Sequence, residues 1–144
     1  MNIYLDNCCF NRPYDAQNHL QIELETQAKL YIQEQIKRRK IKLTTSFILL
    51  FENSQNPYSD RKTIIKDFID KYSSHYVSIN AADSIKNKIQ EIINTGIKWK
   101  DAAHLACAIY ADCDYFLSTD KRLLKYQSQE ILLLNPLNFI ALME

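Results

Sequence analysis

Short apolar runs alternate along this chain with longer stretches whose apolar residues recur every three or four positions, and the two periods predict strands and helices in turn. Asn2 to Leu5 reads as a short buried strand, and Asp6-Asn7-Cys8-Cys9-Phe10-Asn11-Arg12-Pro13 as the loop that leaves it. From about Gln21 to Arg39, Leu24, Ala28, Tyr31, Ile32 and Ile36 mark a helix. Its cationic end, Lys37-Arg38-Arg39-Lys40, suits the negative pole of the helix dipole. Lys42 to Thr45 is a second strand, with Ser46 as N-cap of a helix running through Glu52. After the loop Asn56-Pro57-Tyr58-Ser59, the positions Ile64, Ile65, Phe68, Ile69 and Tyr72 give an amphipathic helix.

Tyr76 to Ile79 reads as a third strand. Ala82, Ile85, Ile89, Ile92 and Ile93 form a helix opened by Asn80 and closed by Gly96. Lys100 to Ala111 is a helix, Tyr115 to Ser118 a strand, and Asp120 to about Tyr126 a short helix. Ile131 to Leu134 is a continuous apolar strand, followed by Asn135-Pro136 and a last helical turn or two. Strands alternating with helices imply an α/β fold, a parallel sheet covered on both faces.

The 144 residues set the expectation of one domain spanning 1–144, with a chain long enough to bury a core. A net charge of +1 leaves no global basic field, so any nucleic-acid contact must use a local patch. With a single Gly there is no phosphate-cradling loop and no dinucleotide fingerprint. Cys8, Cys9, Cys107 and Cys113 lack Cys-x-x-Cys spacing, which argues against zinc and for reduced thiols. No signal-peptide pattern opens the chain and no run approaches a membrane span, so a cytoplasmic protein is expected.

Four acids change the picture most. Asp6 ends the run Ile3-Tyr4-Leu5, and Glu52 follows Phe47-Ile48-Leu49-Leu50-Phe51. Asp101 precedes the compact run Ala102 to Ala108, and Asp120 closes Tyr115-Phe116-Leu117-Ser118-Thr119. In an open parallel sheet the strand C-termini share one edge, so carboxylates distant in sequence can converge there. Clustered carboxylates repel unless a cation lies between them, and hard oxygen donors select Mg2+ or Mn2+.

These motifs resemble the PIN-domain nucleases, many of them VapC-like toxins of toxin–antitoxin pairs. The residues that carry the resemblance are Ile3-Tyr4-Leu5-Asp6, Glu52 after a helix, Lys100-Asp101-Ala102-Ala103-His104-Leu105-Ala106, Leu117-Ser118-Thr119-Asp120 and the closing Ile131 to Phe139. It spans nearly the whole chain. The resemblance implies a three-layer α/β/α fold with a short, mostly parallel sheet of four to five strands. It implies a Mg2+- or Mn2+-dependent endoribonuclease, an RNA phosphodiesterase, with Asp6, Glu52, Asp101 and Asp120 as the catalytic and metal-binding set. Ser118 is the family's hydroxyl residue two before the last Asp. Many relatives read Asp-Thr-Asn after the first strand, whereas Asp6-Asn7-Cys8 stands here, which puts the supporting role of Asn7 in question. The resemblance also implies a homodimer and a partner antitoxin covering the acidic cleft.

Each residue has a plainer reading beside the functional one. Asp6 could be a strand-end turn residue, Glu52 a solvated helix-end residue, Asp101 a first-turn acid and Asp120 a helix cap. His104 shares a helix face with Asp101, as second shell, substrate contact or a buried hydrogen-bonded histidine. Arg12, Lys121 and Arg122 flank the acids as phosphate contacts or solvated loop residues. Asp112 and Asp114 read as solvated, with Asp114 in reserve. Tyr14, Tyr58 and Tyr126 could stack on bases, and Phe10, Tyr14, Tyr58 and Phe139 look surplus to the core, hinting at an association surface. Two other functions stay open: an inactive PIN-like scaffold that binds a partner, and a phosphatase or phospho-acceptor domain using Asp6. The latter usually wants a second Asp where Cys8 stands, and it leaves Glu52 unexplained.

Overall fold

The computed structural model describes residues 1–143. Five strands, β1 (Asn2–Leu5), β2 (Lys42–Ser46), β3 (Ser73–Val77), β4 (Tyr115–Leu117) and β5 (Leu132–Leu134), form one all-parallel sheet in the order β3-β2-β1-β4-β5. Seven helices connect and cover them: α1 (Asn7–Asn11), α2 (Leu20–Lys37), α3 (Phe47–Ser54), α4 (Ser59–Tyr72), α5 (Ala82–Ile93), α6 (Trp99–Tyr110) and α7 (Pro136–Met143). This is the expected three-layer, PIN-like α/β/α arrangement, with all strands parallel. The chain builds outward from β1 through β2 to β3, then returns to lay β4 on the other side of β1. The strand order therefore reverses between β1 and β4, and the crevice at their carboxyl ends is where such sheets bind ligands.

Strand alternation decides which layer each residue joins. On β1, Ile3 and Leu5 point into a core with Leu43, Ile32, Ile36, Phe68, Ile69 and Phe139. Tyr4 points to the opposite face, among Phe116, Ile85, Ile92 and the α6 run Ala102 to Ala108. The small residues of that run let α6 lie close against both the sheet and α5, whose Ile85 and Ile92 are buried. No helix among the described residues is long and apolar enough to cross a membrane.

Four local expectations need correction. The segment after β1 is not a loop: Asp6 accepts the Asn7 N–H and starts α1, and Arg12–Tyr14 continue as a 3-10 turn. Five residues are too few to display a helical period. β3 begins at Ser73 instead of Tyr76, because Ser73, Ser74 and His75, the first three residues of this edge strand, are polar and carry no apolar signature. Asn80 does not cap α5; Ser78 accepts the Asn80 N–H and caps a 3-10 turn, Ile79–Ala81, that precedes it. The stretch after Asp120 holds only a 3-10 turn at Leu123–Lys125. Ser46 does cap α3, accepting the Leu49 N–H at 3.2 Å, and Gly96 (φ 102°) follows α5 in a conformation that suits glycine.

The buried stripe of α2 is also rotated from the apolar one. Leu24 and Tyr31 are exposed, while Glu25, Ala28, Lys29, Ile32 and Ile36 are buried. Phe10 and Phe139, which looked surplus to the core, are inside it. Lys29 packs between the rings of Phe10 and Phe68, 5.5 and 5.9 Å from their centroids, and bonds Gln33. Burial pulls its pKa down to about 8, with Lys37 adding to the shift and Cys9 opposing it. The unfolded chain holds this proton up to a pKa of about 10.4, so stability rises as pH climbs from about 8 toward 10. Lys29→Met should stabilise the fold by ~1–3 kcal/mol at pH 7, the desolvation cost net of cation–π attraction. Urea melts at pH 7 and pH 9.5 check this: the gain must shrink at the higher pH, and a pH-independent gain would refute the charge argument.

Candidate active site

Asp6, Glu52, Asp101 and Asp120 line one cleft of about 440 Å3, together with Asn7, Cys8, Asn11, Arg12 and Asp15. The fold delivers them from four places. Asp6 follows the central strand, Glu52 rides the last turn of α3, Asp101 opens α6, and Asp120 stands three residues past β4.

Asp6 is buried and firmly held. Its Oδ1 accepts the Asn7 N–H at 2.8 Å, and its Oδ2 accepts the Ser118 hydroxyl at 2.9 Å and the Cys8 thiol at 3.3 Å. Its own N–H donates to Leu117 O at 2.9 Å, tying β1 to β4 at the point where the strand order reverses. Ser118 also accepts the Asp120 N–H at 3.1 Å, so one hydroxyl fixes two acidic segments. The Asn7 side chain turns instead to Asn11, which donates to it at 3.2 Å. Cys8, half-buried, also accepts the Thr119 N–H at 3.4 Å.

Glu52 is half-buried, 2.7 Å from His104 Nε2 and 3.7 Å from Lys100 Nζ. Burial alone would raise its pKa, but the His104 hydrogen bond and charge, with Lys100, hold the carboxyl below the usual range. Asp101 moves the other way: burial, then the charges of Asp6 and Asp120, and after them Glu52, raise it, against the attraction of His104. The cleft therefore holds more negative charge than its own cations compensate.

Among the described residues, one set of three metal-ligating types places its donor atoms within 4.8 Å of one another: Asp6, Glu52 and His104. Asp101 and Asp120 line the same cleft but stand outside that triple. Asp120 Oδ1 accepts the Arg122 and Leu123 N–H groups at 2.9 and 3.2 Å, so it caps the following turn as well. An adjoining cleft of about 420 Å3 shares Asp101 and Asp120 and adds Lys98 and Arg122. Lys121 is exposed and lines neither cleft.

Arg12 reaches the cleft, but its guanidinium is engaged by Asp15 at 2.9 Å and by the buried Glu25 at 3.2 Å. Asp114 accepts the Asn2 N–H at 2.8 Å at the far end of β1, away from the cleft. Tyr14 and Tyr58 flank Arg61, 5.1 and 3.9 Å from their ring centroids. Sequence reasoning did not single out Glu25 or Asp15, nor the part of Tyr4. The strand period could have flagged Tyr4, which lies two positions before Asp6 and shares its face.

No protein-family model matches the sequence, and no curated protein does. Solved structures do. VapBC2 from Rickettsia felis, in a crystal structure bound to a DNA fragment from their promoter, matches with a TM-score of 0.59 at 12% identity, over 94% of this chain and 98% of that one. FitAcB from Neisseria gonorrhoeae matches with a TM-score of 0.58 at 13% identity, over 93% and 97%. FitAB bound to an IR36 DNA fragment matches at 0.57 and 15%, over 94% and 95%. At these identities the likeness is one of fold, and it supports the PIN-like architecture along nearly the whole chain.

Proposed function

We propose that this chain is a Mg2+- or Mn2+-dependent endoribonuclease that hydrolyses RNA phosphodiester bonds, and that it is the toxin of a toxin–antitoxin pair. The observation that carries the reading is the convergence of Asp6, Glu52, Asp101 and Asp120 on one cleft at the reversal point of a PIN-like sheet. The donor set fits a hard divalent ion: Asp6 and Glu52 would hold it, with Asp101 and Asp120 as further oxygen ligands, direct or through water. When bound, such an ion supplies an activated water and neutralises charge on the phosphate.

The rest falls to the chain's own residues. Ser118 and the Asn7 N–H keep Asp6 in place, and His104 with Lys100 keep Glu52 ionised. Lys98 and Arg122, which line the adjoining cleft with Asp101 and Asp120, would take backbone phosphates of the RNA. Likeness to VapBC2 supports a partner antitoxin, and exposed Leu20, Leu24 and Tyr31 on α2 are available to a homodimer or to that partner. Four free cysteines suit a reducing compartment such as the cytoplasm.

The test is metal-linked stability and activity measured together. Ligand at about a hundred times its Kd stabilises a fold by ~2.7 kcal/mol, which moves the melting temperature by several degrees. Millimolar Mn2+ should raise the melting temperature on that scale, EDTA should reverse the shift, and RNA should be cut only with metal present. A simple phosphate monoester should stay intact. Unchanged melting together with EDTA-resistant cleavage would sink the metal site, and stabilisation without any cleavage would favour a scaffold.

A further inference from the structure

A line of hydrogen bonds runs inward from Glu52 and ends at a helix cap. Glu52 Oε1 is 2.7 Å from His104 Nε2, and His104 Nδ1 is 2.6 Å from the Tyr4 hydroxyl. That hydroxyl is 2.6 Å from Ser46 Oγ, which accepts the Leu49 N–H at 3.2 Å. Tyr4 and Ser46 are 0% exposed and His104 is 1%, so none of the three can turn to bulk water instead.

With His104 neutral, counting donors fixes the direction of every proton, and a protonated His104 keeps the same Nε2–H on Glu52. An ionised carboxylate only accepts, so a neutral His104 carries its proton on Nε2, toward Glu52. Nδ1 is then a lone pair and takes the one proton of Tyr4. The Tyr4 oxygen in turn accepts from Ser46, whose oxygen is already aimed at Leu49. Burial raises the Tyr4 pKa well above its ordinary value, which keeps the phenol a donor. The opposite tautomer would aim a lone pair at a carboxylate 2.7 Å away. The Tyr4 ring is itself fixed, stacked on Phe116 at 5.4 Å and 7° and edge-on to His104 at 5.6 Å.

We propose that Tyr4 and His104 are positioning residues: through this one-way chain they hold Glu52 by Oε1, leaving Oε2, which only the exposed Lys100 approaches, at 3.7 Å, to the divalent ion, so His104 orients the site without ligating. The inference rests on the metal-dependent reading above and separates two roles that proximity alone leaves merged. In the Nε2–H tautomer the His104 nitrogen that faces Glu52 is spent as a donor, and Nδ1 is taken by Tyr4. Glu52 needs such a hold, because a partly exposed side chain on the last turn of an eight-residue helix otherwise samples several rotamers. Removing hydrogen bonds behind ligating groups typically costs about 10- to 100-fold in metal affinity or activity.

Histidine-selective 15N spectra of the parent and of Tyr4→Phe, with and without Mg2+, test this. The metal-free parent should show the Nε2–H tautomer of His104, and Mg2+ should leave it unchanged. Tyr4→Phe keeps the ring stack and loses only the hydroxyl, so Mg2+ affinity should fall by about tenfold while metal-free RNA binding holds. His104→Gln, which retains an N–H donor for Glu52, should bind Mg2+ more tightly than His104→Leu; this pair carries the test if Tyr4→Phe does not fold. An Nδ1–H tautomer, a tautomer switch on adding Mg2+, or equal affinity in Tyr4→Phe and parent would overturn the proposal. A parent that binds no Mg2+ at all would instead overturn the metal reading, and with it the metal role of this chain of bonds.

Discussion

Asp101→Asn is expected to slow RNA cleavage by at least about a hundredfold, the scale on which loss of a main electrostatic group in an active site is felt. The substitution keeps the shape of the side chain and removes one negative charge from a cleft that also holds Asp6, Glu52 and Asp120. Both the hold on a divalent ion and the control of the attacking water should weaken. Folding should not suffer. Burial and the neighbouring carboxylates raise the Asp101 pKa, so its ionised form works against the native state.

The sign of the pH effect follows. Between the unfolded pKa, about 3.9, and the raised native value, the native state holds more of the proton, so stability falls as pH rises through that window. Above it the parent bears the full cost and Asp101→Asn bears none. In metal-free buffer the variant should therefore melt at the same temperature as the parent or slightly higher at pH 7, with the difference vanishing near pH 3. Kinetics on a labelled RNA with Mn2+, alongside calorimetry, measure both halves. Cleavage and Mn2+ affinity equal to the parent's, in a folded variant, would show that the acidic constellation has been misassigned.

How much of this could be read from residues alone depends on whether burial and hydrophobicity agree. They agree in β1, in β4 and in the run Ala102 to Ala108, where apolar residues are buried and the sequence shows it, whereas in β5 Leu133 is buried and Leu132 is exposed. They disagree on α2, where Glu25 and Lys29 are buried and Leu24 and Tyr31 face outward. No period of hydrophobicity reveals a helix turned toward its polar residues. The four acids were legible because each adjoins the end of an element, and open parallel sheets bring such ends together. Their supports were not: Tyr4 reads as an ordinary strand aromatic until His104 and Ser46 are seen to converge on its hydroxyl. β3 was displaced because its first three residues, Ser73, Ser74 and His75, are polar and leave no apolar signature to find.

The second large effect should come from Glu25. Its carboxylate is 2% exposed and gathers three elements: Arg12 from the turn beside the cleft, Gln21 on its own helix, and Asn135 at the start of α7. Arg12 Nε lies 3.2 Å away but off the line of a good hydrogen bond, so the attraction there is mainly charge with charge. Asn135 bonds Glu25 through its amide nitrogen and caps α7 with its oxygen, which accepts the Leu137 N–H at 2.9 Å. Glu25→Ala leaves a largely buried guanidinium without its inner partner and a buried amide without an acceptor. Removing one partner of a buried pair costs ~3–5 kcal/mol; Asp15, still on Arg12, holds the expected loss to ~3 kcal/mol. Glu25→Gln keeps an acceptor for Asn135 and should lose less. Replacing Arg12 and Glu25 together by leucine should recover part of the deficit, because no buried charge is then stranded. Urea melts of the two singles and the double at pH 7 give the coupling. A loss under ~1 kcal/mol for Glu25→Ala would mean that the pair is solvated and that Arg12 is free to serve the cleft.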